Sequence, residues 1–157
     1  MISRRTFLIT SSALGVVCAF GGTALAQVPF EVRHTTAEWR KILSEDAYMV
    51  MRQGDTEPPG YSPLDQEKRA GIFSCAGCDL PLFKSETKYE SNTGWPSFYR
   101  AIPGAVATKT DFKIGVPRKE YHCARCLGHQ GHVFDDGPKP TGLRYCNNGL
   151  GLKFVSA

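Results

Sequence analysis

Apolar and polar positions fall into two textures along this chain. Between residues 35 and 54 they recur at helical spacing. Trp39, Ile42 and Leu43 follow Thr35, and Glu38 stands three residues after Thr35 as in a capping box. The spacing predicts a helix over 36–43. Ser44 reads as a second N-cap, with Glu45 and Asp46 in the first turn, where the helix dipole favours acids. Tyr48, Met49 and Met51 are expected on the core face of this second helix, and Gly54 ends it. After "GDTEPPGYSP" short β-branched and aromatic runs alternate with Gly, Pro, Asn and Asp. Strands are predicted at 71–74, 105–108, 111–116, 119–122, 132–134, 144–146 and 150–155. Helices first and strands afterwards imply an α+β domain, mainly antiparallel β, with short N-terminal helices.

The first 26 residues belong to neither texture. Arg4 and Arg5 precede an apolar run from Phe7 to about Phe20, and Ala24-Leu25-Ala26 forms a small-x-small site before Gln27. That is the layout of an export signal, and "SRRTFL" resembles the twin-arginine motif, with Ile9 in place of the usual lysine. The run is too short and too rich in Gly, Ser and Thr for a good membrane span. Val17 is too bulky to make Cys18 a lipoprotein site. The expected organisation is a twin-arginine-type export signal at 1–26 and a single domain at 27–157. The product would be exported, to a bacterial periplasm, with no stable membrane association after cleavage. Removing Arg4 and Arg5 from the 19 basic groups leaves 17 against 15 acidic ones, a net charge of about +2. So weak a balance does not suggest nucleic acid as a partner.

Of six cysteines, five lie beyond the signal. Cys75 and Cys78 form "CAGC", and Cys123 and Cys126 form "CARC", with 44 residues between the pairs. Two such knuckles can present four thiolates to one structural Zn2+ and would staple distant parts of the chain together. The same spacing also allows two disulfides or a redox-active CxxC in an exported protein. With four sulfurs on a metal, Cys146 is left over, as a reactive thiol or an intermolecular one.

A thiol near its ordinary pKa is a weak nucleophile at neutral pH, so a reactive Cys146 needs a cation or strong donors nearby. Arg144 precedes it by two residues and would share its face in a strand. Asn148 follows it by two and offers an amide. "GHQGHVF" supplies His129 and His132, and "TGWPSF" supplies Trp95. Each has a bland alternative as a buried small hydrophobe, an ion pair, a pair of turn residues or a core anchor. Together they outline a Cys/His site with an aromatic wall.

"AEWRKIL", "TEPP", the CxxC before "LPLF", "TGWPSF", "CARC", "GHVFDDGP" and "RYCNN" occur in the order found in type B methionine sulfoxide reductases, and the chain resembles that family from about Glu38 to Phe154. The resemblance implies a compact antiparallel β domain that reduces the R epimer of methionine sulfoxide in oxidised proteins or peptides. It implies Cys146 as nucleophile, ending as a sulfenic acid as methionine leaves, and Trp95 as the wall that receives the substrate methyl group. It also implies His129 and His132 at the sulfoxide oxygen, Asn148 and Arg144 as supports, and Cys75, Cys78, Cys123 and Cys126 as zinc ligands. Thr93 stands where many members carry a resolving cysteine, so an external thiol reductant such as a thioredoxin-like domain is expected. Asn147, Gly149, Gly151 and Gln130 also depart from the usual pattern, as do Gly60 and Tyr61. The alternative is a zinc-stapled binding module of the same fold without catalysis. A hydrolase with His129 and His132 on a catalytic zinc is disfavoured, because four thiolates already close the shell and no HExxH is present.

Overall fold

The computed structural model describes residues 31–157; the segment expected to be an export signal, 1–26, lies outside the described residues. Helix α1 (Thr36–Ile42) begins at the expected capping box. The Glu38 amide donates to Thr35 Oγ1 at 3.3 Å, and the Thr35 amide donates to Glu38 Oε2 at 2.7 Å. Helix α2 (Glu45–Gln53) is capped by Ser44 and stopped by Gly54, whose φ of 69° is costly for any residue with a Cβ. Its buried stripe is Ala47, Tyr48, Val50 and Met51. Met49 was expected among them but is 36% exposed. At 100° per residue it falls opposite the centre of that stripe.

Nine strands follow. In one sheet β1 (Gly71–Cys75) lies between β2 (Pro81–Lys84) and β9 (Leu152–Ser156). The other runs β3 (Lys88–Tyr89), β4 (Ser97–Phe98), β8 (Arg144–Asn147), β7 (His129–Phe134), β6 (Arg118–Cys123), β5 (Val106–Asp111). All pairings are antiparallel, as expected. Phe83 of the first sheet stacks on Phe98 of the second at 4.2 Å between ring centres, and Phe73 meets Phe98 edge-on at 5.0 Å. These rings, with Trp39, Met51 and Tyr121, make one shared core.

The strand predicted at 111–116 does not form. β5 ends at Asp111, whose carboxylate accepts the Lys113 amide at 2.7 Å, and the Gly115 amide donates to the Phe112 carbonyl at 2.9 Å. Local hydrogen bonds turn the chain there, and Phe112, Ile114 and Val116 are left in solvent. Among the described residues no helix is long and apolar enough to cross a membrane.

Candidate active site and metal centre

Register assembles the site. In the β7–β8 pair His132 lies opposite Cys146, and in the β4–β8 pair Ser97 lies opposite Cys146. Directly opposed residues share a face, so His132 and the thiol are cross-strand neighbours. The close approach depends on Gly131, where an added Cβ would overlap the Cys146 carbonyl. Trp95 closes one side, and its indole N–H donates to the Glu57 carbonyl at 3.0 Å. A cavity of about 150 Å³ results, lined by Cys146, His132, Trp95, Arg118, Phe134 and Asn148, among others. It is smaller than a drug-sized pocket and of a size for one flexible side chain.

The Cys146 thiol is pushed up by burial. The positive charge of Arg144 and hydrogen bonds from Thr93 and Arg144 pull the other way. Arg144 is itself held by a two-pronged ion pair, Nε to Asp136 Oδ1 at 2.9 Å and Nη2 to Asp136 Oδ2 at 2.8 Å, and it lies over the Phe134 ring at 4.3 Å. Thr93 belongs to a short hydroxyl chain. Ser91 Oγ lies 2.8 Å from both Thr93 Oγ1 and Ser97 Oγ.

The two histidines are placed differently. His132 lines the Cys146 cavity, with Nε2 at 2.9 Å from Asp111 Oδ2. The Asp111 carboxyl is held well below its usual range by the Lys113 amide, then by His132 and Arg118. His129 lies behind, 5.5 Å from the His132 ring, and lines a neighbouring polar cleft with Lys109 and Glu120. Its Nδ1 is 2.9 Å from Glu120 Oε1. Burial pushes His129 down, toward the neutral form. Burial pushes the Glu120 carboxyl up, but His129 and Lys109 hold it net below its ordinary value.

Asn148 supports the site through backbone contacts. Its Nδ2 donates to the Gln130 carbonyl at 3.0 Å, and its Oδ1 accepts the Glu57 amide at 3.0 Å. The Glu57 carboxylate in turn accepts the amides of Gly149 (2.7 Å) and Leu150 (2.8 Å), fixing the turn Gly149–Gly151 that follows the nucleophile strand. Burial raises the Glu57 carboxyl. Glu57, within "TEPP", and Asp111, Arg118 and Glu120 are site residues that the sequence alone does not single out. None of the four carries a local signal, since each acts on residues distant in the chain or on a neighbouring strand.

The knuckles converge below the site. The four sulfurs of Cys75, Cys78, Cys123 and Cys126 lie within 4.8 Å of one another. Cys75 Sγ is 3.6 Å from Cys126 Sγ, and Cys78 Sγ is 3.5 Å from Cys123 Sγ. These are non-bonded separations, close to the ~3.8 Å edge of a tetrahedron with metal–sulfur bonds of about 2.3 Å. No described cysteine is disulfide-bonded. Sharing of hydrogens with Cys123 pushes the Cys75 and Cys126 thiols up and Cys78 down. Four largely buried thiolates could not stay charged together without a cation, and their softness and geometry fit a tetrahedral metal ion.

Residues 43–156 match the SelR domain family. The chain is 45% identical over 125 residues to the peptide methionine sulfoxide reductase MsrB of Agrobacterium fabrum, covering 79% of this chain and 93% of that protein. It is 48% identical over 125 residues to the MsrB of Pseudomonas putida, covering 79% and 94%. To the MsrB of Methanosarcina barkeri it is 47% identical over 124 residues, covering 78% and 87%.

Proposed function

We propose, for a chain that belongs to the SelR domain family and is a peptide-methionine (R)-S-oxide reductase, a thiol-dependent route through Cys146. The observation that carries it is an unpaired sulfur, Cys146, in a side-chain-sized cavity between an indole and an imidazole. The substrate methyl rests on Trp95, which fixes the handedness at sulfur. The Cys146 thiolate attacks the sulfoxide sulfur while His132 donates a proton to the oxygen as charge builds there. Asp111 orients His132 through Nε2 and leaves Nδ1 as the nitrogen that donates. His129, buried and pushed toward the neutral form, backs that imidazole with Glu120 rather than meeting the substrate. Arg144 and Thr93 favour the thiolate, and Asn148 sets the strand end.

Atoms and electrons balance through two half-reactions. The sulfoxide sulfur gains two electrons and loses its oxygen, and Cys146 loses two and becomes a sulfenic acid, the first and reversible rung of thiol oxidation. An external dithiol then condenses with the sulfenic acid, releasing water, and its second thiol frees Cys146. Thr93 offers no sulfur for an internal disulfide, which is why a thioredoxin-like reductant is proposed. Cys75, Cys78, Cys123 and Cys126 would hold a structural Zn2+. The ion would supply cross-linking of the knuckles and charge neutralisation there, and takes no part in the reaction. Arg4, Arg5 and the small-x-small site further suggest twin-arginine export to a periplasm, checked by whether the periplasmic protein begins at Gln27.

The test is an epimer-resolved assay on a racemic methionine sulfoxide peptide with dithiothreitol. The parent protein should consume only the R epimer, and Cys146→Ser should consume neither. Unchanged turnover by Cys146→Ser would refute the route, and a parent protein that consumes neither epimer would favour a binding module.

A further inference from the structure

One fully buried amide touches both the knuckles and the nucleophile strand. Gln130 Nε2 lies 3.6 Å from Cys75 Sγ, within range of an N–H···S hydrogen bond. Its Oε1 accepts from Asn147 Nδ2 at 3.4 Å. Its backbone carbonyl accepts the Asn148 amide at 2.8 Å and Asn148 Nδ2 at 3.0 Å. Asn147 is bound in turn, its Oδ1 accepting from the Tyr121 hydroxyl at 2.6 Å. A single residue therefore contacts one sulfur of the quartet and both residues that follow Cys146.

The space for this amide is shaped by a glycine. A Cβ at position 151 would stand 2.8 Å from Gln130 Oε1, so a side chain there would displace the amide from its partners. The Gly151 carbonyl is itself taken by the amide of Ala76, inside the first knuckle, at 2.8 Å. Three of the departures noted in the sequence, Gln130, Asn147 and Gly151, thus pack into one polar junction.

Electrostatics gives the donor a purpose beyond filling space. Four thiolates around a divalent cation leave a net negative charge in the core, and each N–H aimed at sulfur offsets part of it. An apolar residue of equal volume would fill the site and leave that charge less compensated.

We propose that Gln130 is a positioning residue that donates to the metal-bound Cys75 thiolate and, through Asn147 and Asn148, couples metal retention to the setting of Cys146. The proposal rests on reading the quartet as a metal centre. Gln130→Met keeps length and volume and removes the donor. Loaded with Co2+, this variant should show a shifted sulfur-to-cobalt charge-transfer band, and a chelator should strip it about tenfold faster than the parent. Its Cys146 should also react with iodoacetamide at a changed rate while the metal is bound. A band, release rate and alkylation rate all equal to the parent's would overturn the proposal. Should the variant not fold, the unaltered protein decides the matter. Loaded with 113Cd, its Gln130 side-chain amide proton should show a coupling to cadmium. A spectrum with the cysteine couplings present and that one absent overturns the proposal alone. A parent protein that takes up neither ion defeats the metal-centre reading, and the proposal with it.

Discussion

At the scale of single residues, Cys146 is held between opposing influences. Burial disfavours its thiolate, and Arg144 and Thr93 favour it. Thr93→Val and Arg144→Leu each remove a stabiliser of the charged form and raise the thiol pKa further. At a fixed pH a smaller fraction is then thiolate, so the pH profile of Cys146 alkylation should move to higher pH in both variants. A shift to lower pH, or none, would show that these groups do not act on the sulfur. The histidines should separate as well. Loss of a general acid typically costs 10²–10⁴-fold in rate, so His132→Ala should lower kcat by about that range. His129→Ala, which removes a group from behind the cavity, should cost less. Equal losses measured by steady-state kinetics would contradict the division of roles. Cys146, Trp95, His132 and Arg144 stand out in the sequence as candidates, and the resemblance to type B methionine sulfoxide reductases implies their roles. Asp111 and Arg118 do not stand out. They reach the site only through the β5–β6 pairing, which sets Asp111 opposite Arg118, and through Nε2 of a histidine on a third strand.

At the scale of elements, the helices and their caps were readable because capping is local, as Thr35, Ser44 and Gly54 illustrate. The strands were harder. β3 and β4 have two residues each and carry no period to detect, and β2 opens on a proline. The alternation Phe112, Ile114, Val116 read as a strand, but its turn chemistry, an Asp side chain and a left-handed glycine, outweighed it. The element that matters most to the site is the segment after β8. It is tied down by a carboxylate more than 90 residues away, since Glu57 holds Gly149 and Leu150. Glu57→Gln replaces one acceptor oxygen by an amide donor facing backbone N–H groups. It should destabilise the fold by about 1–3 kcal/mol, read as a lower urea midpoint with an unchanged slope. A midpoint equal to the parent's would mean the turn holds itself.

At the scale of the whole molecule, the cysteine quartet joins the two sheets. Cys75 ends β1 and Cys123 ends β6, and the sulfur quartet spans both. The paired knuckles announced this in the sequence because CxxC is a local geometric device. That Gln130 lies beneath them was illegible, since it depends on a bulge between Tyr121 and His122 and on a glycine at position 151. Removing the metal leaves four crowded thiols in a buried site, so chelation should lower Tm substantially and make unfolding harder to reverse. An unchanged Tm after verified metal loss would deny the quartet its structural role. The proposed chemistry depends on four sulfurs committed to a metal and one free to take an oxygen. Its most direct test is a single turnover with the R-sulfoxide peptide and no reductant, followed by mass spectrometry of the protein. The account predicts one equivalent of methionine and one added oxygen on Cys146, trapped as a sulfenic acid adduct, with the metal still bound. A disulfide between Cys146 and any of Cys75, Cys78, Cys123 or Cys126, with metal released, would contradict it.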